Sequence, residues 1–390
     1  MRHALLIAIS VFLLWGTTLS YSSGLSEIEY RELPNGGRLL QKEFTGSPST
    51  AVSVYFALPV VWETPETEGL RHLFEHLMMR RLANADRALE SVGGYSRAET
   101  GRDFVRVNFS VPSGKEALVV EALRALTSGT EFAEEVLETE RRILSKEEVF
   151  REPGSRDWDR MWREAYGTSG ISAFGRWAEL PEDTPQLLNR IESQLFSPEK
   201  VTVVIAAGEN NSLEINQFES WLNSLHAPAL PAMEARPNSD RKTLSSGGWR
   251  GITLPSITTE EGRALLLFVF GLSGETGAQM VYTPTTQPAM AFVESNPSVG
   301  VWLSNLQTPD RAQRDGLLSQ LYQTGRRSFI SWISSSLIDP AAFTNVLGHF
   351  VAMGMEPESV FEMSNGDVVP FSVFRRTVDQ WQESQLQSLS

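Results

Sequence analysis

The stretch GLRHLFEHLMMR, residues 69–80, places two histidines and a glutamate close together in an otherwise apolar segment. An α-helix advances about 100° per residue, so His72, Glu75 and His76 share one face. Two imidazoles one turn apart can bind one cation, and the carboxylate beside them can take a proton from a metal-bound water. The segment predicts a zinc-binding helix with His72 and His76 as ligands and Glu75 as the catalytic base.

A catalytic zinc site needs a third protein ligand, and the acidic segment EFAEEVLETERRILSKEEVFREPG, residues 131–154, offers two candidates. On a helix, Glu140 and Glu147 lie within an apolar stripe, where a carboxylate is costly to bury unless a cation compensates its charge. The apolar members of the stripe are Ala133, Val136, Leu137, Ile143 and Leu144. The two glutamates lie about 10 Å apart along the axis, so only one can bind the same ion. The other would orient a histidine, and helix geometry leaves open which does which.

The chain begins with MRHALLIAISVFLLWGTTLSYSSG, a basic start followed by an apolar run and small polar residues, which predicts a signal peptide over residues 1–23. The apolar run is shorter than the roughly 20 residues that span a bilayer, so we expect no membrane span after cleavage. The chain has no cysteine, which fits an exported bacterial protein without disulfides or a lipid anchor. The periplasm is the expected location, with secretion or an uncleaved anchor as alternatives.

The formal net charge of −14 disfavours nucleic acid and anionic lipid as partners. Periodicity predicts an α+β protein with an N-terminal domain over residues 24–225, a linker over 226–249 and a C-terminal domain over 250–390. Strand-like segments are 51–62, 103–111 and 200–208 in the first domain and 263–271, 288–295 and 299–305 in the second. Helical patterns are 114–129 and the sequence from Asp310 onward.

Two further patterns are interpreted as structural. Trp158 and Trp162 are spaced i, i+4, which is typical of a helix packing stripe. His349, in NVLGHFVAMG, is more typical of a packed or surface histidine than of a metal ligand.

Together these residues resemble the insulinase/pitrilysin family of zinc metallopeptidases, whose inverted HxxEH motif defines the inverzincins. Beside HxxEH, the resemblance rests on the preceding pair Gly69 and Leu70, a Gly-Gly turn, a strand with an Asn-Ala-x-Thr pattern and an ExxxxxxE helix. The strand pattern is matched by Arg97, Ala98, Glu99 and Thr100, and the helix by Glu140 and Glu147. Order and spacing agree over about residues 39–208.

The resemblance implies that Glu147 is the third metal ligand and that Glu140 supports the site without touching the metal. It implies one zinc ion per chain and two related α/β-sandwich domains of the LuxS/mitochondrial processing peptidase-like type, the second shortened or divergent. It also implies an extended peptide substrate that lies along the strand of Arg97, Ala98, Glu99 and Thr100. The expected function is a zinc endopeptidase for extended or unfolded peptides.

Two departures from the family pattern bear on function. Arg97 replaces an asparagine, and its guanidinium would favour acidic peptide residues. Complete family members also carry an Arg and a Tyr in the second domain, which Tyr322, Arg326 and Arg327 do not match in spacing or order. Two alternatives follow: this chain is the metal-bearing half of a heterodimeric peptidase, with a homologous partner subunit supplying Arg and Tyr, or it is a non-catalytic binding or assembly subunit.

Overall fold

The structure is a computed structural model. It describes residues 28–129, 133–151, 154–175, 177, 181–207, 215–226, 244–282, 285, 289–336 and 338–387. The predicted signal peptide, residues 1–23, lies outside these ranges. Within them, no helix combines the length and the apolar character that crossing a membrane requires.

In the described part of the N-terminal domain, a six-stranded mixed sheet has the order β1-β2-β6-β3-β5-β4. The strands are β1 (Ile28–Glu32), β2 (Arg38–Glu43), β3 (Ser49–Ala57), β4 (Tyr95–Thr100), β5 (Phe104–Pro112) and β6 (Val201–Ala207). All neighbours are antiparallel except β2 and β6. The central strands β3 and β6 are buried on both faces, which explains their nearly continuous apolar sequences. Strand β4 lies at the edge.

All but one of the helices described in this domain cover one face of the sheet. The helices are α1 (Leu70–Arg81), α2 (Ala83–Ser91), α3 (Glu116–Leu126), α4 (Glu134–Phe150), α5 (Ser155–Tyr166), α6 (Thr184–Leu195) and α7 (Ile215–Ser224). Side chains alternate along β3, so Val52, Val54 and Phe56 face the core beneath the helices while Ala51 and Tyr55 face the opposite side. Helix α5 departs from this layer and packs elsewhere.

The C-terminal domain is built on a smaller antiparallel sheet with the order β7-β8-β10-β9. Its strands are β7 (Leu244–Ser246), β8 (Trp249–Leu254), β9 (Met280–Tyr282) and β10 (Ala289–Glu294). Its helices are α8 (Glu260–Thr276), α9 (Pro297–Asn305), α10 (Arg311–Ser336), α11 (Pro340–Ala352), α12 (Pro357–Ser364) and α13 (Phe371–Gln387). The α+β fold class is thus confirmed. Residues 227–243 of the predicted linker lie outside the described residues, and the rest of it includes β7.

Two of the predicted strands in this domain are wrong. Residues 263–271 lie in α8, which is buried almost all round and therefore has no polar face to reveal a helical period. Residues 299–305 lie in α9, where Asn296 caps the helix by accepting a hydrogen bond from the Val299 amide and Pro297 occupies the first turn. The predicted strand at 288–295 is correct and forms β10.

Each domain lends one helix to the free face of the other domain's sheet. Helix α11 packs on β3 and β6, and the Tyr55 hydroxyl donates to the Thr344 carbonyl over 2.6 Å. Helix α5 packs on the C-terminal sheet, where Trp158 stacks on Phe292. The Tyr166 hydroxyl donates to the Ala289 carbonyl over 2.6 Å. This exchange fixes one domain against the other.

Candidate metal centre

Helix α1 carries the HxxEH segment, and hydrogen bonds and an ion pair hold its N-terminal end. Gly69 adopts a left-handed conformation with φ 97° just before the helix, which favours glycine. A buried Glu63 carboxylate oxygen accepts hydrogen bonds from the backbone amides of Gly69 (3.2 Å) and Arg71 (2.9 Å), so it satisfies amides that the first turn leaves unpaired. The Arg71 guanidinium pairs with the same carboxylate at 3.3 Å. The N-terminal end of α1 is therefore firmly held.

The two faces of α1 have different roles. Leu73, Phe74 and Leu77 are fully buried in the core beneath the helix. His72 and His76 lie on the opposite face, only partly exposed, with ring centroids 5.0 Å apart. Packing of the apolar face thus fixes the direction in which both imidazoles point.

Helix α4 brings its two glutamates to different sides of His76. The Glu147 carboxylate lies 3.6 Å from His76 Nε2 and is about half exposed, at 47% of its side-chain surface. The Glu140 carboxylate is buried and lies 3.0 Å from His76 Nδ1. Because Glu140 and Glu147 are seven positions apart on α4, one carboxylate lies beside each nitrogen of the His76 ring.

Potential ligand atoms of His72, His76 and Glu147 all lie within 4.8 Å of one another. Tetrahedral zinc holds its ligand atoms roughly 3.3 Å apart, so small side-chain movements bring the three onto one ion. Two imidazoles and one carboxylate are a donor set typical of catalytic zinc, which keeps its fourth position for water or substrate.

The second nitrogen of each histidine is engaged by a hydrogen-bond acceptor. His72 Nδ1 lies 3.0 Å from the Phe174 carbonyl oxygen, and His76 Nδ1 lies 3.0 Å from Glu140 Oε2. A carbonyl and a carboxylate accept hydrogen bonds, so both Nδ1 atoms carry a hydrogen, which leaves Nε2 of each ring as the atom that can bind a metal. The Arg80 guanidinium donates to the other oxygen of Glu140 and holds that carboxylate in place.

Glu75 lies beside the two histidines without joining the ligand group. Its carboxylate is 3.9 Å from His72 Nε2 and accepts a 2.7 Å hydrogen bond from the Thr100 hydroxyl at the end of β4. Burial raises the pKa of Glu75 to about 7, although the Thr100 hydrogen bond lowers it. A carboxyl group with this pKa is suited to accept and return a proton near neutral pH.

The pKa values of the two histidines are shifted in opposite directions. Burial, followed by the nearby His76, lowers the pKa of His72 to about 4. Burial also lowers the pKa of His76, but hydrogen bonds to Glu147 and Glu140 and the charge of Glu75 outweigh it and raise the pKa to about 9. A hydrogen bond from His76 lowers the pKa of Glu147. Without a cation, His76 carries the positive charge that balances the surrounding carboxylates.

The predicted substrate strand forms β4. It pairs only with β5 among the described strands, so its outer edge offers free backbone groups. Thr100 faces Glu75, whereas Glu99 faces the other side of the sheet and accepts a hydrogen bond from Arg106. Arg97 is exposed and Ala98 packs against the core. Of these four residues, Thr100 is the one whose hydrogen bond to Glu75 ties β4 to the HxxEH group.

Two groups at the site were missed from the sequence. Arg80 stands four residues after His76, so the helical period could have placed it on the same face. The Phe174 carbonyl is a backbone group 102 positions from His72 in sequence, and no side-chain motif marks it. The packing role of Trp158 and Trp162 and the buried position of His349 agree with their interpretation.

The second-domain residues Tyr322 and Arg326 are used within their own domain. The Tyr322 hydroxyl donates to the Val369 carbonyl over 2.8 Å, and Arg326 Nε donates to the Gly366 carbonyl over 2.7 Å. Arg327 lies within reach of the Thr324 hydroxyl at 3.1 Å. These contacts are structural ones.

The fold and the site together define a class: a two-domain α+β protein whose first domain carries an inverted zinc motif. Residues 40–152 match the family model described as insulinase, peptidase family M16. Over these residues, this confirms the resemblance to the insulinase family of zinc metallopeptidases that the sequence predicted.

Two curated relatives are called uncharacterized zinc proteases. The chain is 20% identical over 260 residues to one from Streptomyces coelicolor, covering 64% of this chain and 56% of the relative. It is 21% identical over 220 residues to YmxG of Bacillus subtilis, covering 54% of each. The chain thus spans about half the length of the curated relatives it matches.

Solved structures share the fold over nearly the whole chain. A protease from Helicobacter pylori aligns with a TM-score of 0.70 at 14% identity, covering 91% of this chain and 96% of that one. The first half of the periplasmic protease PqqL from Escherichia coli aligns with a TM-score of 0.65 at 12% identity, covering 92% and 90%. The similarity covers both domains.

Proposed function

We propose that this chain is a zinc-dependent endopeptidase. The observation that carries the proposal is the convergence of His72, His76 and Glu147, with both Nδ1 atoms occupied by acceptors and Glu75 placed beside the group. A structural zinc site usually closes with four protein ligands, whereas three ligands with an adjacent carboxylate base are typical of catalysis.

The chain's own residues supply the acid–base part of the reaction. A zinc ion held by the three ligands would polarise the scissile carbonyl and lower the pKa of water. Glu75 would accept the proton of the attacking water and return it to the leaving amine. The Thr100 hydroxyl holds the Glu75 carboxylate in position at 2.7 Å, and Glu140 holds His76 at 3.0 Å.

The edge strand β4 provides a place for the substrate. An extended peptide that pairs with this edge would run past Thr100 and therefore past Glu75 and the ligand group. Backbone pairing requires an extended segment, so the proposed substrates are unfolded or short peptides. Folded proteins would not fit this mode of binding.

We also propose that full activity needs a homologous partner subunit. This chain shares its fold with the first half of the periplasmic protease PqqL over most of both chains. Tyr322 and Arg326 already bond to backbone carbonyls of their own domain. A second chain would then supply the Arg and Tyr that bind substrate opposite the metal. For the location, the signal-like start supports export to the periplasm.

The test compares the purified mature chain with Glu75→Gln. We expect both to contain about one zinc ion per chain, and only the wild type to cleave an unstructured peptide, with loss of cleavage on chelation and recovery on adding zinc. The assay is run with the chain alone and with a homologous chain from the same organism. Zinc bound by both chains with no cleavage in either assay would replace the peptidase with a binding or assembly subunit.

A further inference from the structure

The Phe174 carbonyl belongs to a segment that contacts both metal-binding helices. We call residues 171–175 together with Trp177 the brace segment. It follows α5 and carries the acceptor that lies 3.0 Å from His72 Nδ1. The Phe174 ring also lies against the His72 imidazole, with centroids 4.9 Å apart.

Helix α5 holds the brace segment through Asp159. The buried Ser172 hydroxyl donates to Asp159 Oδ2 over 2.9 Å and accepts a hydrogen bond from the Phe174 amide over 3.2 Å. Arg151, just after α4, donates to the same Asp159 oxygen over 2.6 Å and lies over the Phe174 ring at 4.6 Å. Asp159 therefore determines where the peptide that carries the Phe174 carbonyl can lie.

The segment is equally tied to the start of α1. The Ser172 amide donates to the buried Glu68 carboxylate over 2.7 Å. Gly175 adopts φ +95° and packs against Gly69, so closely that a Cβ atom on Gly175 would collide with the Gly69 backbone. Two glycines are thus required where the segment crosses the helix that carries His72.

Trp177, the last residue of the brace segment, contacts α4, the helix that carries Glu147. The Trp177 carbonyl accepts hydrogen bonds from Arg141 Nη1 over 2.7 Å and from the Ser145 hydroxyl over 3.1 Å. The brace segment therefore spans α1 and α4, the two helices that must stay in register for three ligands to meet. Its anchor α5 packs on the C-terminal sheet.

We propose that the brace segment is a positioning element for the metal centre: Asp159 and Ser172 aim the Phe174 carbonyl, which fixes the His72 ring with Nε2 toward the metal. This rests on the metal binding in the proposed function and does not depend on peptidase activity. Groups that fix a ligating histidine in this way commonly contribute tenfold to a hundredfold to metal affinity.

The test compares three variants of α5. Asp159→Ala removes the acceptor for Ser172, whereas Asp159→Asn keeps a side-chain oxygen that can still accept from it. Asp157→Ala is the matched control, because Asp157 lies on the same helix with similar side-chain exposure, 23% against 21%, but bonds to Ser246 and Arg160 instead. We expect Asp159→Ala to weaken zinc binding roughly tenfold to a hundredfold, Asp159→Asn to restore most of it and Asp157→Ala to have no effect.

A second readout needs no metal. The chain has five histidines, so selective ¹⁵N-histidine labelling, with His72→Gln for assignment, reports the tautomer of His72 in the metal-free protein. We expect the Nδ1–H form in the wild type and a mixture of tautomers in Asp159→Ala. Cobalt substitution, followed by its visible spectrum, reports the same change in the loaded site.

The outcomes separate the two proposals. A wild-type chain that binds no zinc contradicts the proposed function itself. If the wild type binds zinc and Asp159→Ala leaves affinity, tautomer and cobalt spectrum unchanged, the positioning role is wrong. It is also wrong if Asp157→Ala weakens zinc binding as much, because the effect would then follow general loss of stability, measured by thermal unfolding of each metal-free variant.

Discussion

The two domains differ in what they bury. In the described N-terminal domain, charged side chains are buried at many positions: Lys42, Glu63, Glu68, Arg71, Glu75, Asp103, Arg106, Glu116 and Glu140. Among the described residues of the C-terminal domain, no Asp, Glu, Lys or Arg is buried to this degree, and its buried polar groups are Ser, Thr and His349. Burying charge is costly unless each group finds partners, so the first domain accepts a cost that the second avoids.

Most of this buried charge lies around α1 and β4. Glu63 pairs with Arg71 at the start of α1, Glu140 holds His76, and Arg106 pairs with Glu99 on β4. The second domain contributes an apolar core and the helix α11 that covers the sheet. The comparison indicates that one domain carries the chemistry and the other the support, and the following substitutions test it.

The largest effect is expected from replacing one histidine in each domain and comparing the two variants. His76→Gln removes a nitrogen ligand, and we expect zinc affinity to fall by roughly two to three orders of magnitude, measured by competition with a chelator. His349→Gln is the counterpart in the second domain, since His349 is buried and contacts Phe104 with ring centroids 4.6 Å apart. We expect this variant to bind zinc normally and to lose about 1–2 kcal/mol of folding stability.

An equal loss of zinc affinity in both variants would contradict the inference that the first domain carries the metal site and the second domain only supports it. Denaturant unfolding of the metal-free proteins shows whether His349→Gln acts through stability alone.

The next effect concerns the buried carboxylate on α4. Glu140→Gln weakens the acceptor for His76 Nδ1 and leaves Arg80 without its charged partner, so we expect zinc to bind roughly tenfold to a hundredfold more weakly. Glu135→Gln is the matched control on the same helix, because Glu135 is exposed. It should leave zinc affinity unchanged. Equal affinities for the two variants would show that burial of Glu140 serves packing only.

The sequence predicted the chemical domain better than the supporting one. The HxxEH spacing places His72, Glu75 and His76 on one face of a helix, and α1 has that geometry. The choice between Glu140 and Glu147 needed the family resemblance, because helix period alone puts both on the same stripe. The stripe itself was less regular than predicted, since Ile143 is 37% exposed.

Non-local packing explains what the sequence did not reveal. The strand predictions at 263–271 and 299–305 failed because α8 is buried on all sides and α9 is short and apolar, so neither shows the one-sided pattern of a surface helix. The brace segment was missed because its acceptors are backbone carbonyls, which any residue type provides. The packing of α5 on the C-terminal sheet and of α11 on the N-terminal sheet could not be predicted either, because it depends on contacts between the two domains.

The cost of burying charge can be measured at Glu75. Burial raises its pKa from the ordinary 4.5 to about 7 in the folded chain, so the folded state binds the proton more tightly than the unfolded state. The stability from this proton is fully present below pH 4.5 and is lost as pH rises through 7. Removing the carboxylate should therefore stabilise the metal-free protein at pH 8, and we expect Glu75→Gln to gain roughly 1–2 kcal/mol there.

The gain should largely disappear at pH 4.5, where the wild-type group is protonated in the folded state and half protonated in the unfolded state. Glu90→Gln, at an exposed position on α2, is the matched control. Urea unfolding at the two pH values checks both variants. A Glu75→Gln chain that is less stable than the wild type at pH 8 would show that the Glu75 carboxylate stabilises the folded state instead of destabilising it.

The smallest effect concerns the exposed charge on the substrate edge. Arg97 lies on β4, three residues before the threonine that holds Glu75, and its neighbour Glu99 is already paired with Arg106. A peptide along this edge would meet the guanidinium, so we expect a preference for an acidic over a basic residue near the scissile bond. Exposed ion pairs contribute up to about 1 kcal/mol, so the ratio of kcat/KM should be roughly two- to fivefold.

Arg97→Asn should remove this preference without changing zinc affinity, because Arg97 does not belong to the ligand group. Arg87→Asn, on the exposed surface of α2, should keep it. The preference should also shrink as salt is raised, since exposed charges are screened within about 10 Å at 0.1 M ionic strength. A preference that survives both Arg97→Asn and high salt would locate selectivity away from β4, and the substrate would then have to lie along another surface of the protein.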